Sequence, residues 1–423
     1  MTEAGKGSRA SLPSLTRRSL IGGMTAGAIA PAVLRASKPG SAGHIAVVGA
    51  GVFGAWTAEH LHRAGHRVTL VDMAGPAHGR ASSGGESRMT RAAYGKDDIY
   101  TRMAWASLAE WKALSDRAAL PLFHPHGVLF FSNVADDYFR GSIAVHRQLN
   151  LPIEELDRAG MQRRFPMIDF DGVGIGLYEP GFGALMARRS VQTLVRGFTA
   201  AGGRFLHEAA HVVQQGAGRP AALRLGSGAM LEADTLVFAL GPWLPKLFPD
   251  LLGRRIFATR QEIFYFAAPP GDRLFQPAAM PGWADFNGGE VFYGFPDLEA
   301  RGLKFANDQH GVLVDPDTQS REPTRAAIDQ IIAFRDRRFP LLRGAPLIGA
   351  EVCQYENSSN GDFLIDRHPT LPNVVLVGGG SGHGFKHGPE VGRRAAALAF
   401  GGRQEEPRFT LATKDETQKR EVH

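Results

Sequence analysis

The 423-residue chain contains a single cysteine, Cys353, and so can form no disulfide within itself. It also lacks any apolar run near the roughly 20 residues that a membrane-spanning helix needs, and it shows no internal repeat. Hydrophobic residues at 43% and charged residues at 21% exclude a disordered or fibrous chain. A strong excess of one charge is missing as well. The formal charge is +6, but residues 1–43 hold Lys6, Arg9, Arg17, Arg18, Arg35 and Lys38 against Glu3. Little net charge remains elsewhere, so there is no basic footprint for nucleic acid. What the chain has in quantity is glycine, 52 residues, which favours a fold with many close backbone approaches.

The N-terminal stretch "SLTRRSLIGGMTAGAIAPAVLRAS" has adjacent arginines, a Gly/Ala-rich apolar run from Leu20 to Leu34, and small residues around Ala30-Pro31-Ala32. This is the layout of a signal peptide, and the paired arginines resemble the twin-arginine export signal. Residues 1–42 are therefore expected to direct the chain through the twin-arginine export machinery to a periplasmic or secreted location, without stable membrane insertion. That route carries folded proteins, typically because a cofactor is inserted before export. A lone thiol sent into an oxidising compartment has two readings: a small buried hydrophobe, or a sulfur that is chemically occupied.

From residue 43 the pattern changes. "HIAVVGAGVFGAWTAEHLHRAGHRVTLVD" reads as strand, glycine turn, amphipathic helix and second strand, one βαβ unit. "DDIYTRMAWASLAEWKALSD" and "RSVQTLVRGFTAAGG" read as helices, and "RFLHEAAHVV" after the Gly-Gly stop reads as strand. "ADTLVFALGPW" and "NVVLVGGGSGHG" are apolar runs ending in glycine, the pattern of buried parallel strands whose C-terminal ends face a ligand. Residues 255–300 instead alternate apolar and polar, as in an antiparallel sheet. The expected class is α/β, with a Rossmann-like domain built from 43–130, 187–250 and 346–410. A second, mostly antiparallel-sheet substrate domain is expected from 131–186 and 251–345.

Gly49, Gly51 and Gly54 stand in G-x-G-x-x-G spacing between the first strand and helix, and Asp72 closes the next strand 18 residues after the last glycine. The glycines permit a tight turn and close approach of a pyrophosphate to the helix N-terminus, and Asp72 can accept from ribose hydroxyls. The motif does not choose between FAD and NAD. Export favours FAD, since a flavin travels bound whereas NAD is regenerated inside the cell. A rival pattern, His207-Glu208-Ala209-Ala210-His211, matches the zinc motif H-E-x-x-H, which works only on a helix. A strand would hold the two rings roughly 13 Å apart, so no metal is expected there. His62 and His66, also four apart, lack a third ligand.

"GAGVFG", "SRMTRAAYG", "YGFP" followed by "GLK", "VCQY", "LIDRHP" and "SGHGFK" occur in the order and approximate spacing of the monomeric sarcosine oxidase and N-methyltryptophan oxidase family, which the chain resembles over about residues 43–410. The resemblance implies FAD linked covalently through its 8α-methyl group to Cys353, which makes the lone thiol a tether. It further implies that Lys304 promotes reaction with molecular oxygen, because a preplaced cation stabilises a developing superoxide. Arg91 and Lys386 match the pair that holds a substrate carboxylate, and Arg88 an arginine on the other face of the flavin. Tyr293 and Tyr355 match tyrosines lining the substrate cavity, while Ser82 and Gly382 fall in motifs around the cofactor. Two positions depart from the family: Asp308 and Gly84 replace histidines. The first is a reason to expect a substrate other than sarcosine, larger or additionally cationic.

The function implied is an exported flavoprotein oxidase of a secondary or related amino acid. Hydride passes to FAD, oxygen is reduced to hydrogen peroxide, and the imine product hydrolyses. N-methyl amino acids, cyclic imino acids and sugar-linked amino acids all present the required carboxylate and amine. Alternatives are a dehydrogenase serving a respiratory carrier, a zinc hydrolase built on His207 and His211, and a flavin-binding module without turnover.

Overall fold

The run His44–Val48 is buried at every position, and it forms β1 inside a parallel sheet. A strand walled on both faces has no use for alternation, which explains its continuous apolar sequence. The computed structural model describes residues 43–214, 220–309 and 311–418; the expected export signal, residues 1–42, lies outside the described residues. Beside β1 run β2 (Arg67–Val71) and the strand Thr235–Phe238, both parallel to it. Val374–Gly378 and Arg204–Leu206 extend the parallel set, and Leu364–Arg367 closes one edge antiparallel, giving a six-stranded sheet. Helix α1 (Val52–Arg63) covers β1 and packs on the helix Gly388–Ala399. A Cβ on Gly392 would lie 2.6 Å from the Trp56 Cβ, so the glycine sets how near the two helices come.

The expected antiparallel texture after residue 255 forms an eight-stranded sheet among the described residues. Its longest ladder pairs Ile256–Phe266 with Leu347–Ser358, from Ile256 opposite Ser358 to Phe266 opposite Leu347. Leu303–Asn307 lies on the other side of Ile256–Phe266. Two strands refine the boundaries expected from sequence. Leu347–Ser358, which carries Cys353, belongs to this second sheet, so the chain returns to the first sheet only at Leu364. Val128–Ser132 also joins it, crossing the expected boundary at residue 130. Among the described residues both sheets lie within one compact unit.

"RFLHEAAHVV" does not form one strand. Arg204–Leu206 ends the parallel sheet, and after residues 207–209 Ala210–Val213 starts a separate three-stranded sheet. The H-E-x-x-H motif is therefore not helical, and no group of three or more metal-ligating side chains occurs among the described residues. No helix among them is long and apolar enough to cross a membrane.

Gly54 lies inside α1, where alanine would ordinarily be favoured by about 0.5–1 kcal/mol. Here a Cβ would sit 1.8 Å from the Gly49 carbonyl oxygen. Gly54→Ala is expected to lower stability by about 1–3 kcal/mol through overpacking, read as a lower thermal midpoint. An unchanged midpoint would show that α1 can retreat from β1 freely.

Candidate functional site

A cavity of about 530 Å³ opens at the C-terminal ends of the parallel strands and is bordered by Gly49, Gly51, Asp72, Ser82, Arg88 and Gly382. Gly54 stands behind it as the packing glycine. Gly49 has φ +104°, and a Cβ there would meet the Ala239 carbonyl at 2.3 Å, so only glycine makes this turn. Asp72 fastens the turn: Oδ2 accepts from the Ala50 amide at 2.8 Å, while Oδ1 accepts from Ala74 and Gly75 at 2.8 and 2.9 Å. The Val52 amide at the start of α1 donates to Ser83 Oγ at 3.0 Å. This is the geometry a dinucleotide requires: bare backbone at a helix N-terminus, with a carboxylate at the end of the next strand. The residues present fit FAD on that ground.

A second cavity, of about 80 Å³, meets the first at Arg88, Tyr355, Gly382 and Phe385, which border both. Arg91, Lys386, Tyr293, Asp308 and Cys353 line it. Gly382, at φ +77°, leaves space for the Tyr355 ring, which a Cβ would approach to 2.8 Å. The second sheet supplies most of one wall, with Cys353 and Tyr355 two apart on one strand and so on one face. Ser82 ties this strand to the first sheet's loops, its Oγ donating to the Gln354 carbonyl at 2.8 Å. Arg88 Nη2 donates to the Ser82 carbonyl at 2.6 Å and lies 3.6 Å from Cys353 Sγ.

Two cations share the ring of Tyr94: the Arg91 guanidinium carbon lies 4.0 Å from its centroid and Lys386 Nζ 5.1 Å. Lys386 Nζ also donates to the His383 carbonyl at 2.9 Å. Burial works against the charge on Arg91, but Tyr138, Tyr94, Glu179 and Asp308 outweigh it and raise its pKa. Tyr355 donates to Asp308 Oδ1 at 2.7 Å. Burial, reinforced by Asp308, raises both Tyr293 and Tyr355, so these phenols stay protonated and act as donors rather than bases.

Lys304 does not border the second cavity. It is 1% exposed, donates to the Ser87 carbonyl at 2.8 Å, and lies 5.1 Å from the Phe295 ring centroid. Burial first, then Arg88, pushes its pKa down to about 7, although Glu351 and Cys353 act in the opposite sense.

Several participants escaped the sequence reading. Tyr94 lies inside the quoted "SRMTRAAYG", three residues after Arg91, and its neighbourhood was the available signal. Glu179 offered none: its Oε1 accepts from the Ala92 amide at 2.9 Å and lies 3.0 Å from His146 Nε2, uniting three distant segments beside Arg91. Glu356 sits in "CQYEN" directly after Tyr355 and borders the larger cavity.

Residues 44–398 match the family described as DAO, FAD dependent oxidoreductase. The chain is 30% identical over 368 residues to a monomeric sarcosine oxidase of Streptomyces avermitilis, covering 86% of this chain and 95% of that protein. It is 32% identical over 384 residues to an N-methyl-L-tryptophan oxidase of Salmonella arizonae, covering 86% and 96%. Among solved structures, an L-proline dehydrogenase from P. horikoshii superposes with a TM-score of 0.76 at 17% identity, over 87% of this chain and 96% of that one. This last likeness concerns the fold alone.

The Lys304 shift has a definite sign. Between about pH 7 and the ordinary lysine value, the unfolded chain holds a proton on this amine that the folded chain does not. The penalty for burying the charge is fully present below that window and is relieved as pH rises through it. In the cofactor-free chain, Lys304→Met should therefore stabilise more at pH 6 than at pH 9, by up to a few kcal/mol, in urea titrations at both values. Equal effects at the two pH values would show that the native lysine stays charged throughout.

Proposed function

The chain belongs to the FAD dependent oxidoreductase family, within its group of monomeric sarcosine oxidases and N-methyl-L-tryptophan oxidases, and we propose that it is an exported oxidase of a carboxylate-bearing secondary amine. N-alkyl and cyclic amino acids meet that description. The observation that carries this reading is the pairing of Arg91 and Lys386 on Tyr94, in a cavity that joins the dinucleotide cavity. Two fixed cations hold a carboxylate in one orientation, which turns a bimolecular encounter into a positioned one. Tyr138, which donates to the Ala93 carbonyl at 2.8 Å, also lies 3.2 Å from Arg91 Nη1, holding the guanidinium in place.

FAD, when bound, supplies the two-electron acceptor for the carbon beside the amine nitrogen and passes those electrons to oxygen, giving hydrogen peroxide. The imine product hydrolyses in water. Tyr355 and Asp308 form a polar part of the lining of the cavity that also holds the cation pair, and their bond keeps the hydroxyl proton between them. That lining supports a substrate larger than sarcosine, with a cationic or hydroxyl group for Asp308. Lys304, within electrostatic reach of Arg88 and Cys353, gains its charge as pH falls through its depressed pKa, and such a cation would stabilise the negative charge that oxygen acquires.

Cys353 is read as the tether. Its sulfur would replace one hydrogen of the 8α-methyl group, with the thiol hydrogen also lost and the two electrons leaving finally to oxygen. The sulfur borders the second cavity, beside Arg88, which borders both. The twin arginines of the leader support export, and a covalent cofactor cannot be lost by dilution outside the cell.

Acid precipitation tests the tether: the native pellet should be yellow, and the Cys353→Ser pellet colourless with its flavin in the supernatant. A colourless native pellet would sink the covalent assignment. Lys386→Met should raise KM for a carboxylate-bearing N-methyl amino acid about 10- to 100-fold, the cost of one charge-assisted bond. The reaction of the prereduced protein with oxygen should be unchanged, measured by stopped flow. Turnover with an artificial acceptor but no peroxide in air would make the protein a dehydrogenase instead.

A further inference from the structure

His383 and His387 flank Lys386 in "SGHGFKH", and neither ring has a part in the reaction above. Phe385–His387 forms a short helical turn whose three residues are all buried, His387 completely. From this turn Lys386 Nζ lies 5.1 Å from the Tyr94 ring centroid, and His387 Nε2 lies 2.7 Å from the Tyr94 hydroxyl. Adjacent residues therefore meet one phenol at its ring and at its oxygen. The same oxygen lies 3.3 Å from His383 Nδ1, and His383 Nε2 lies 3.2 Å from the Gly361 carbonyl. The protons are assigned from these partners. A carbonyl only accepts, so His383 carries its hydrogen on Nε2, and Nδ1 of the neutral ring accepts from Tyr94. The phenol's one hydrogen is then committed, and His387 Nε2–H donates to its oxygen. His387 Nδ1 is left as a bare lone pair, in keeping with its burial without a hydrogen-bond partner. Burial first, then Lys386 and Arg91, holds the His387 pKa well below the ordinary histidine value, so the ring is the neutral donor that this chain of bonds requires.

We propose that His387 is a positioning residue for the substrate carboxylate: by holding the Tyr94 hydroxyl it fixes the ring on which Arg91 and Lys386 converge. The proposal rests on reading those two cations as the carboxylate site. A phenol that turns about its side-chain torsions offers the cations a moving face, whereas one bonded at its oxygen offers a fixed one, and a fixed cation pair binds a carboxylate in one orientation. His383 borders the second cavity and His387 does not, so His387 reaches the substrate only through Tyr94 and the turn it shares with Lys386. The surroundings hold the same frame. Trp111 Nε1 donates to the Lys386 carbonyl at 2.8 Å, and its ring stacks on Phe385 at 5.4 Å. Tyr100 and Phe363 pack against both imidazoles, with ring centroids 4.9 to 5.6 Å apart. These apolar faces keep water from the chain of bonds, which strengthens each bond in it.

The test uses the full-length flavin-bound chain with acetate as a bare carboxylate probe, its dissociation constant measured by isothermal titration calorimetry. His387→Phe keeps a ring but removes the donor, and should weaken acetate binding about three- to tenfold. His387→Gln, whose amide nitrogen reaches the place of Nε2, should restore affinity to within about twofold of the parent. Tyr94→Phe keeps the aromatic face and should weaken acetate as much as His387→Phe does. The double variant should be no weaker than either, because both changes remove the same bond. Parental affinity in His387→Phe, a His387→Gln variant as weak as it, or losses that add in the double variant would overturn this proposal alone. If His387→Phe does not fold, Tyr94→Phe decides: a loss of that size supports the proposal, and parental affinity overturns it. A parent that binds no acetate, or a Lys386→Met variant that binds it as tightly as the parent, would overturn the carboxylate site itself and this proposal with it.

Discussion

The antiparallel ladder between Ile256–Phe266 and Leu347–Ser358 is the constraint on which the site depends. It sets Cys353 opposite Gln261 and Tyr355 opposite Thr259, so the sulfur and the phenol share one face. On its other side the same long strand sets Lys304 opposite Tyr265, within the electrostatic reach of Arg88 and Cys353. A one-residue slip in this register would turn Cys353 and Tyr355 to the opposite face of the sheet. The parallel sheet contributes its loops in turn, and Ser82 joins the two by bonding the Gln354 carbonyl. The junction of the cavities is therefore a junction of sheets.

Burial of charge is the second theme. Lys304 and Lys386 are 1% and 5% exposed, and Arg91 is 9% exposed. Taking a charge out of water is costly unless partners compensate, and the three are compensated differently. Arg91 keeps its charge through phenols and the carboxylates Glu179 and Asp308. Lys386 rests on a carbonyl and an aromatic face. Lys304 has a carbonyl bond, nearby rings and the opposing influence of Glu351 and Cys353, and burial beside Arg88 outweighs them. The carboxyl of Glu356 presents the mirror case, a buried acid pushed toward neutrality by the same loss of solvent.

The parallel half of the fold was legible because its signals are local. "HIAVVGAGVFG" contains strand, turn and helix start within a few residues, and the glycines are required by contacts inside that unit, such as Gly54 against the Gly49 carbonyl. The helices Asp98–Asp116 and Ala187–Ala200 were legible from apolar spacing for the same reason. "RFLHEAAHVV" was misread as a single strand because a change of sheet leaves no periodicity signal at residues 207–209. The cysteine strand fell to the wrong side of an expected boundary because its partner lies some ninety residues earlier, at Gln261.

By itself the sequence determined the dinucleotide turn, the α/β class and, through six spaced motifs, the residues to watch: these depend on backbone geometry and residue type over short distances. Only the tertiary structure decided which groups meet. Arg91 and Lys386 are far apart in the chain and converge on Tyr94, and Glu179 reaches the Ala92 amide from another strand altogether. Only the structure, too, separated Lys304 from the lining of the second cavity. Desolvation is the physical reason. It depends on everything packed around a group, and chain spacing does not encode it.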